Sequence, residues 1–336
     1  MAKQKKEDYL FAAGYICSHV KNMMNWQDMT RLASCKDLVS AEAILQEFGY
    51  GEAKELVEEG DVEEFIRKEQ NKLFNMVYDS LPIREELSLC LYPYDYHNVK
   101  VCLKSELLGV APTESLLMST GDIDWKKMVS LVRDRSYDFM PVNMKHAIME
   151  ATDLVSRGGD PQEIDIIMDK ACYKDMIERA EELEEPFLID MIKLQIDILN
   201  LKIFVRLRQM NKPWSFLKKV YLEGGNIASD FFVACYEEPY AQIAERLAPY
   251  GLKKPMAEGG PAIKETGDFC LFEKLCDNAL MEYNKRAKYQ PFGIEPIAGY
   301  WYGKEIEIDN LRIILAGIKI GTPLESIMER LREPYV

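Results

Sequence analysis

This sequence has little that is arranged for catalysis. It has three histidines, His19, His97 and His146, and no two of them are spaced as metal ligands. The eight cysteines form no CxxC pair and sit apart, many within apolar runs, which reads as isolated buried thiols in a reducing compartment. GxxxxGK, GxGxxG, GxSxG and HExxH are all missing, so no phosphate loop, dinucleotide turn, hydrolase elbow or zinc-protease helix is written here. Cys102 follows His97 by five positions, which do not share a helix face, so a Cys–His nucleophile is not set up. No apolar run reaches the ~18 residues that span a bilayer, and no signal peptide is expected, so any membrane association comes through another protein. Positive charge is scarce as well. Lys and Arg number 42 against 56 Asp and Glu, a net charge of −14 that argues against nucleic acid as a partner. The densest basic run, Lys3, Lys5 and Lys6, reads as a solvated terminus. Alternating apolar–polar runs are rare, which removes the main signal for strands.

What is there is helical. Leu, Glu, Lys, Met and Ala are plentiful, and apolar residues recur at three- and four-residue intervals, so the expected fold class is all-α. Residues 1–25 read as one amphipathic helix with Tyr9, Ala12, Ala13, Ile16 and Val20 on one face. Residues 61–80 read as another, opened by Asp61, Glu63 and Glu64 where acid suits the helix dipole. Pro82 fits the first turn of a third. Gly158, Gly159, Asp160 and Pro161 give a stop, a cap and a fresh start. The Gly, Pro and Lys residues of 249–267 predict a long loop. The acidic run Glu181, Glu182, Glu184 and Glu185 reads as a solvated helix end.

A pattern recurs three times: NVKVCL at 98–103, NLKIFV at 200–205 and NLRIIL at 310–315. Each is Asn, aliphatic, basic, aliphatic, any, aliphatic, and each runs on to a proline, Pro112, Pro213 and Pro323. Helix starts at Trp26, Trp125 and, less regularly, Phe216 accompany the copies, as do acidic helices near 63–79, 169–182 and 273–285. A period near one hundred residues predicts three similar helical lobes, over 26–124, 125–214 and 215–336, after an N-terminal helix over 1–25.

Drawn as helices, the copies place Val99, Cys102 and Leu103, Leu201, Phe204 and Val205, or Leu311, Ile314 and Leu315 on one apolar face, with Val101, Ile203 or Ile313 opposite. Such a helix is the spine of its lobe. Asn98, Asn200 and Asn310 are poor helix formers, so each needs a hydrogen-bond partner, either in a neighbouring element of the fold or on a bound protein. The basic residues Lys100, Lys202 and Arg312 either pair with an acidic helix of the same fold or face an acidic partner. Thr322, Pro323 and Glu325 read as cap, first position and capping box of the next helix.

At these residues the chain resembles the C subunit of V-type and A/V-type ATPases and ATP synthases, the family that includes the eukaryotic d subunit. The resemblance is carried by PFGIEPI at 291–297, KEIEIDNLRIILAG at 304–317 and the tail LREPYV at 331–336. Tyr9, Tyr15 and the stretch 32–51, ending FGYG, extend it over nearly the whole chain. Cys17, Ser18, His19 and Asn22 depart from the Arg- and Glu-rich pattern common in that first helix. The resemblance implies a non-catalytic part without cofactor or metal, three helical lobes shaped as a funnel or cup. It implies a peripheral position on the cytoplasmic side, between the central stalk (D and F type subunits) and the membrane proteolipid ring (c or K). Its role would be to couple ATP hydrolysis or synthesis to H⁺ or Na⁺ transport. Two rival readings are a soluble helical-repeat scaffold that binds another protein or peptide, and an enzyme whose site gathers Cys102, His97 and an acid.

Overall fold

The computed structural model describes residues 6–51, 53–82 and 84–336. Among them every regular element is helical. In chain order the α-helices are α1 (Leu10–Val20), α2 (Trp26–Ala33), α3 (Leu38–Glu47), α4 (Ala53–Glu59), α5 (Val62–Ser80), α6 (Ser88–Leu107), α7 (Trp125–Arg133), α8 (Val142–Ser156) and α9 (Pro161–Leu183). They continue as α10 (Pro186–Gln209), α11 (Trp214–Val220), α12 (Ser229–Ala234), α13 (Tyr240–Leu247), α14 (Gly260–Thr266), α15 (Cys270–Asn284), α16 (Glu295–Ile320) and α17 (Leu324–Arg330). The chain folds as two compact units. The first comprises Met1–Ile83 with Glu238–Val336, the second Arg84–Glu237.

In the first unit α1, α2, α5, α15 and α17 pack on α16. That helix can serve as their common axis because it is apolar on several sides, burying Ile297, Trp301, Ile308, Leu311, Ile314, Leu315 and Ile318. Gly299 and Gly303 lie one turn apart on it and admit the C-terminal tail. A Cβ at Gly303 would sit 2.5 Å from Cγ of the Tyr335 ring, and one at Gly299 would sit 2.4 Å from Cβ of Ala287. The helix predicted for 1–25 is shorter than expected. A 3-10 turn at Lys6–Tyr9 leads into α1, which stops at Val20, and Asn25 then caps the next helix, accepting from the Gln27 and Asp28 amides. Its stripe is buried at Tyr9, Ala12, Ala13 and Ile16 and half-buried at Val20, while residues 1–5 lie outside the described residues. Asp61 caps α5 by accepting from the Glu64 amide at 3.1 Å. Pro82 is not in the first turn of a helix. It precedes a 3-10 turn at Arg84–Leu87, and α6 begins only at Ser88.

The loop predicted for 249–267 is largely helix, a π-helical turn at Pro255–Gly259 running into α14. The glycines are there for contact. A Cβ at Gly259 would meet the Phe272 backbone at 2.6 Å, and one at Gly260 would meet Cβ of Tyr240 at 2.9 Å. Pro255 and Pro261 occupy first-turn positions, where a missing N–H costs nothing.

In the second unit α6, α8 and α10 pack on α9, and α7 on α6. The 158–161 signal is realised as read: Gly158 is left-handed at φ 72°, Asp160 accepts from the Gln162 amide, and Pro161 opens α9. The start of α8 has no cap of its own, since Pro141 holds that position. Asp175 of α9 takes over, accepting from the Met144 amide at 3.1 Å, the Asn143 side chain at 2.7 Å and the Tyr96 hydroxyl at 2.5 Å.

Candidate functional site

The three spine segments lie in α6, α10 and α16, and their burial agrees position by position. The residues one, four and five after each Asn are buried, and the residue three after is half-buried. Each helix also closes the same way. Gly109, Asn211 and Gly321, eleven positions after the Asn residues, are left-handed at φ 66°, 51° and 72°. The amides of the next residues reach back to the carbonyls of Ser105, Leu207 and Gly317 at 3.0, 3.0 and 2.9 Å, a Schellman closure. Immediately before it stands an exposed aliphatic side chain in every case, Leu108 at 75%, Met210 at 62% and Ile320 at 78%. After the closure, Pro213 and Pro323 are themselves the caps of α11 and α17, with ψ near 145°, which suits proline. Thr322 therefore does not cap, contrary to the reading of 322–325. Pro112 precedes only a 3-10 turn, Glu114–Leu116.

Each spine Asn is fully buried, and each grips the backbone of one residue in the irregular segment beyond its helix. Asn98 donates to the Met118 carbonyl at 3.0 Å and accepts from its amide at 2.8 Å. Asn200 does the same to Leu222 at 2.8 and 2.8 Å. Asn310 does so to Arg332 at 3.0 and 2.8 Å. The gripped residue lies 20, 22 and 22 positions on. A primary amide suits this because it offers one donor and one acceptor in a plane, matching the N–H and C=O of an extended residue. A carboxylate has no donor for the carbonyl.

Three residues ahead of each Asn is a buried acid, which was not singled out from the sequence: Asp95, Asp197 and Glu307, each 1% exposed. Asp95 accepts from the Asp122 and Ile123 amides at 3.1 and 3.2 Å. Asp197 accepts from the Asn226 and Ile227 amides at 3.1 and 2.9 Å and from the Asn226 side chain. Glu307 accepts from the Met24 amide at 2.7 Å, the Tyr50 hydroxyl at 2.5 Å and Lys304 at 2.6 Å. Burial pushes Asp95 up to about 8 although its two backbone donors pull the other way, and burial raises Asp197 as well. A helix begins two residues beyond the last amide held in each set, at Trp125, Ser229 and Trp26. Phe216, read as the third such start, lies inside α11 instead.

The basic positions pair with acids of the same fold where their contacts are resolved. Lys100 pairs with Asp169 of α9 at 2.8 Å, and Arg312 with Glu63 in the first turn of α5 at 3.2 Å and Asp309 at 2.7 Å. Lys202 is half-buried on α10 and is not free either. The tail is held by further contacts: Arg332 to Asp277 at 3.0 Å, the Glu333 amide to Asn278 at 2.8 Å, and Lys285 to Glu333 at 2.6 Å.

His97 and Cys102 do not make a reactive pair. The His97 Nε2–H donates to the Leu116 carbonyl at 2.9 Å, and burial pushes the Cys102 thiol up to about 11, away from a thiolate. Among the described residues no cluster of His, Cys, Asp and Glu could hold a metal ion. A hollow of about 900 Å³ in the second unit has a charged rim that pairs with itself, Lys219 with Glu163 at 2.5 Å and Arg157 with Asp153 at 2.8 Å. No helix among the described residues is long and apolar enough to cross a membrane.

Known proteins are similar to this chain over most of its length. A family model described as ATP synthase (C/AC39) subunit matches residues 16–330. The C subunit of the V-type sodium ATPase of Enterococcus hirae is 24% identical over 275 residues, 82% of this chain and 83% of the relative. The C subunit of the A-type ATP synthase of Methanocaldococcus jannaschii is 21% identical over 332 residues, 92% of this chain and 82% of the relative. That of Methanobrevibacter smithii is 24% identical over 250 residues, 70% of this chain and 65% of the relative. A match over nearly the whole length, on an all-helical chain whose signature segments form buried spines and a pinned tail, places this chain in the ATP synthase (C/AC39) subunit family, a non-catalytic subunit of rotary ATPases.

Proposed function

We propose that this subunit is the adaptor between the turning central stalk of a V/A-type ATPase and the proteolipid ring in the membrane, working at the cytoplasmic face. In this reading the chain is made of three similar lobes, one on each of α6, α10 and α16, and receives the stalk. The exposed aliphatic residues at their ends, Leu108, Met210 and Ile320, are contacts to neighbouring subunits. ATP hydrolysis in the head then turns stalk, adaptor and ring together to move H⁺ or Na⁺, or ion flow drives the reverse. Family membership over residues 16–330 carries the reading. Two features support it. The apolar tips recur at one register while the polar groups of the spines are spent internally. The interior is held by packing and paired backbone groups, as a torque-bearing part requires, because close-packed interiors compress little.

The test uses purified subunit with stalk heterodimer and detergent-solubilised ring from the same source. The subunit should bind one or both and hydrolyse no ATP alone. A variant with Leu108, Met210 and Ile320 all changed to Ser should bind at least about tenfold more weakly with an unchanged urea midpoint, since each tip is already in water. Failure of the unaltered subunit to bind either partner would sink the proposal.

A further inference from the structure

The third acid does something the other two do not. In the first two copies the last amide on the acid lies five positions after the clamped residue, Ile123 after Met118 and Ile227 after Leu222. In the third the clamped residue is Arg332, yet the amide on Glu307 belongs to Met24, 283 positions away in sequence. The chain just beyond Met24 nevertheless matches the other copies. The helix beginning two residues later buries its fourth residue completely: Met128 in α7, Phe232 in α12 and Met29 in α2, all at 0% exposure.

We propose that residues 22–33 are the closing segment of the third repeat, carried at the opposite end of the sequence, and that Glu307 is the latch that holds them there. The inference rests on the threefold repeat proposed above and is independent of the adaptor role. Other details agree. Met24 is wholly buried although it precedes its helix, and the Asn310 amide also contacts the Met29 sulfur, at 3.6 Å. One carboxylate thereby gathers three stretches of chain: Met24 ahead of α2, Tyr50 between α3 and α4, and Lys304 on α16. Lys304 also donates to the Tyr50 hydroxyl at 2.8 Å and lies 4.4 Å from the ring centre, so the latch is a charge-paired cluster.

The change from Asp to Glu accompanies the loss of a glycine. In the first two copies a glycine sits two residues before the held amide, Gly121 and Gly225. A Cβ there would come within 2.5 and 2.3 Å of an Asp95 or Asp197 carboxylate oxygen. The loop approaches a short acid closely because it has no side chain at that point. The corresponding residue in the third set is Asn22, which has a side chain where the other two sets have none, and its acid, Glu307, is one methylene longer than an aspartate.

The experiment is hydrogen exchange by mass spectrometry on the full chain, comparing Glu307→Asp, Asn22→Gly and the double variant. The single Glu307→Asp variant should exchange the amides of 24–33 at least tenfold faster. Adding Asn22→Gly should bring them back to within about threefold, because it rebuilds the glycine–aspartate pairing of the other copies. Peptides over 118–133 in the second unit should not change in any variant. The inference is overturned if Glu307→Asp leaves 24–33 protected, or if the double variant exchanges as fast as the single.

Discussion

Removing the amide of Asn200 isolates what the clamps contribute. Asn200→Ala deletes both hydrogen bonds to Leu222 and leaves that residue's N–H and C=O without a partner in a buried setting. An orphaned buried backbone group costs about 1–3 kcal/mol, so the pair should cost about 2–5 kcal/mol. The same change at Asn98 or Asn310 orphans groups on Met118 or Arg332, which are only partly buried, so water replaces much of the loss. Those variants should lose about 1–2 kcal/mol. Asn200→Asp should be at least as damaging as Asn200→Ala, because a carboxylate would face the Leu222 carbonyl with no donor to offer. The assay is urea unfolding monitored by tryptophan fluorescence, with Trp125 and Trp214 reporting the second unit and Trp26 and Trp301 the first. A loss under about 0.5 kcal/mol at Asn200, or equal losses at all three sites, would refute the assignment of stability to these bonds.

Other perturbations give equally definite outcomes. Folding raises Asp95 from an ordinary 3.8 to about 8, so the folded state favours its protonated form. Its contribution is therefore complete below pH 3.8 and is lost as pH climbs through 8, with a slope of up to about 1.4 kcal/mol per pH unit. Urea midpoints between pH 5 and 8.5 should fall more steeply for the unaltered chain than for Asp95→Asn. Gly303→Ala forces a Cβ into the Tyr335 ring and should cost about 1–3 kcal/mol by urea unfolding. The cost should shrink in a Tyr335→Ala background, as expected for residues in contact. Lys100→Ala and Arg312→Ala remove partly exposed ion pairs and should each cost under about 1 kcal/mol by the same assay.

The spines were legible because their apolar periodicity is unbroken and because a buried Asn stands out in a core helix. Their three burial patterns coincide as the periodicity required. The acids were legible in principle, since Asp95, Asp197 and Glu307 precede the Asn residues at one fixed offset. The Asp-to-Glu change hid them. The clamped residues Met118, Leu222 and Arg332 carried no signal, because extended backbone in an irregular segment has no period and any side chain serves. Residues 249–267 misled for a related reason. Glycine and proline read as breakers, yet Gly259 and Gly260 are small so that Phe272 and Tyr240 can approach. The grip of Glu307 on Met24 joins distant parts of the sequence and was beyond any local pattern.

The most direct measurement of the adaptor role compares ATP hydrolysis with cation transport in reconstituted rotary ATPase. The enzyme would be stripped of this subunit and then resupplied with it. Stripped enzyme should hydrolyse ATP while transporting little, and added subunit should restore transport in proportion to its binding. Transport that proceeds undiminished without the subunit, at an unchanged ratio to hydrolysis, would contradict the account.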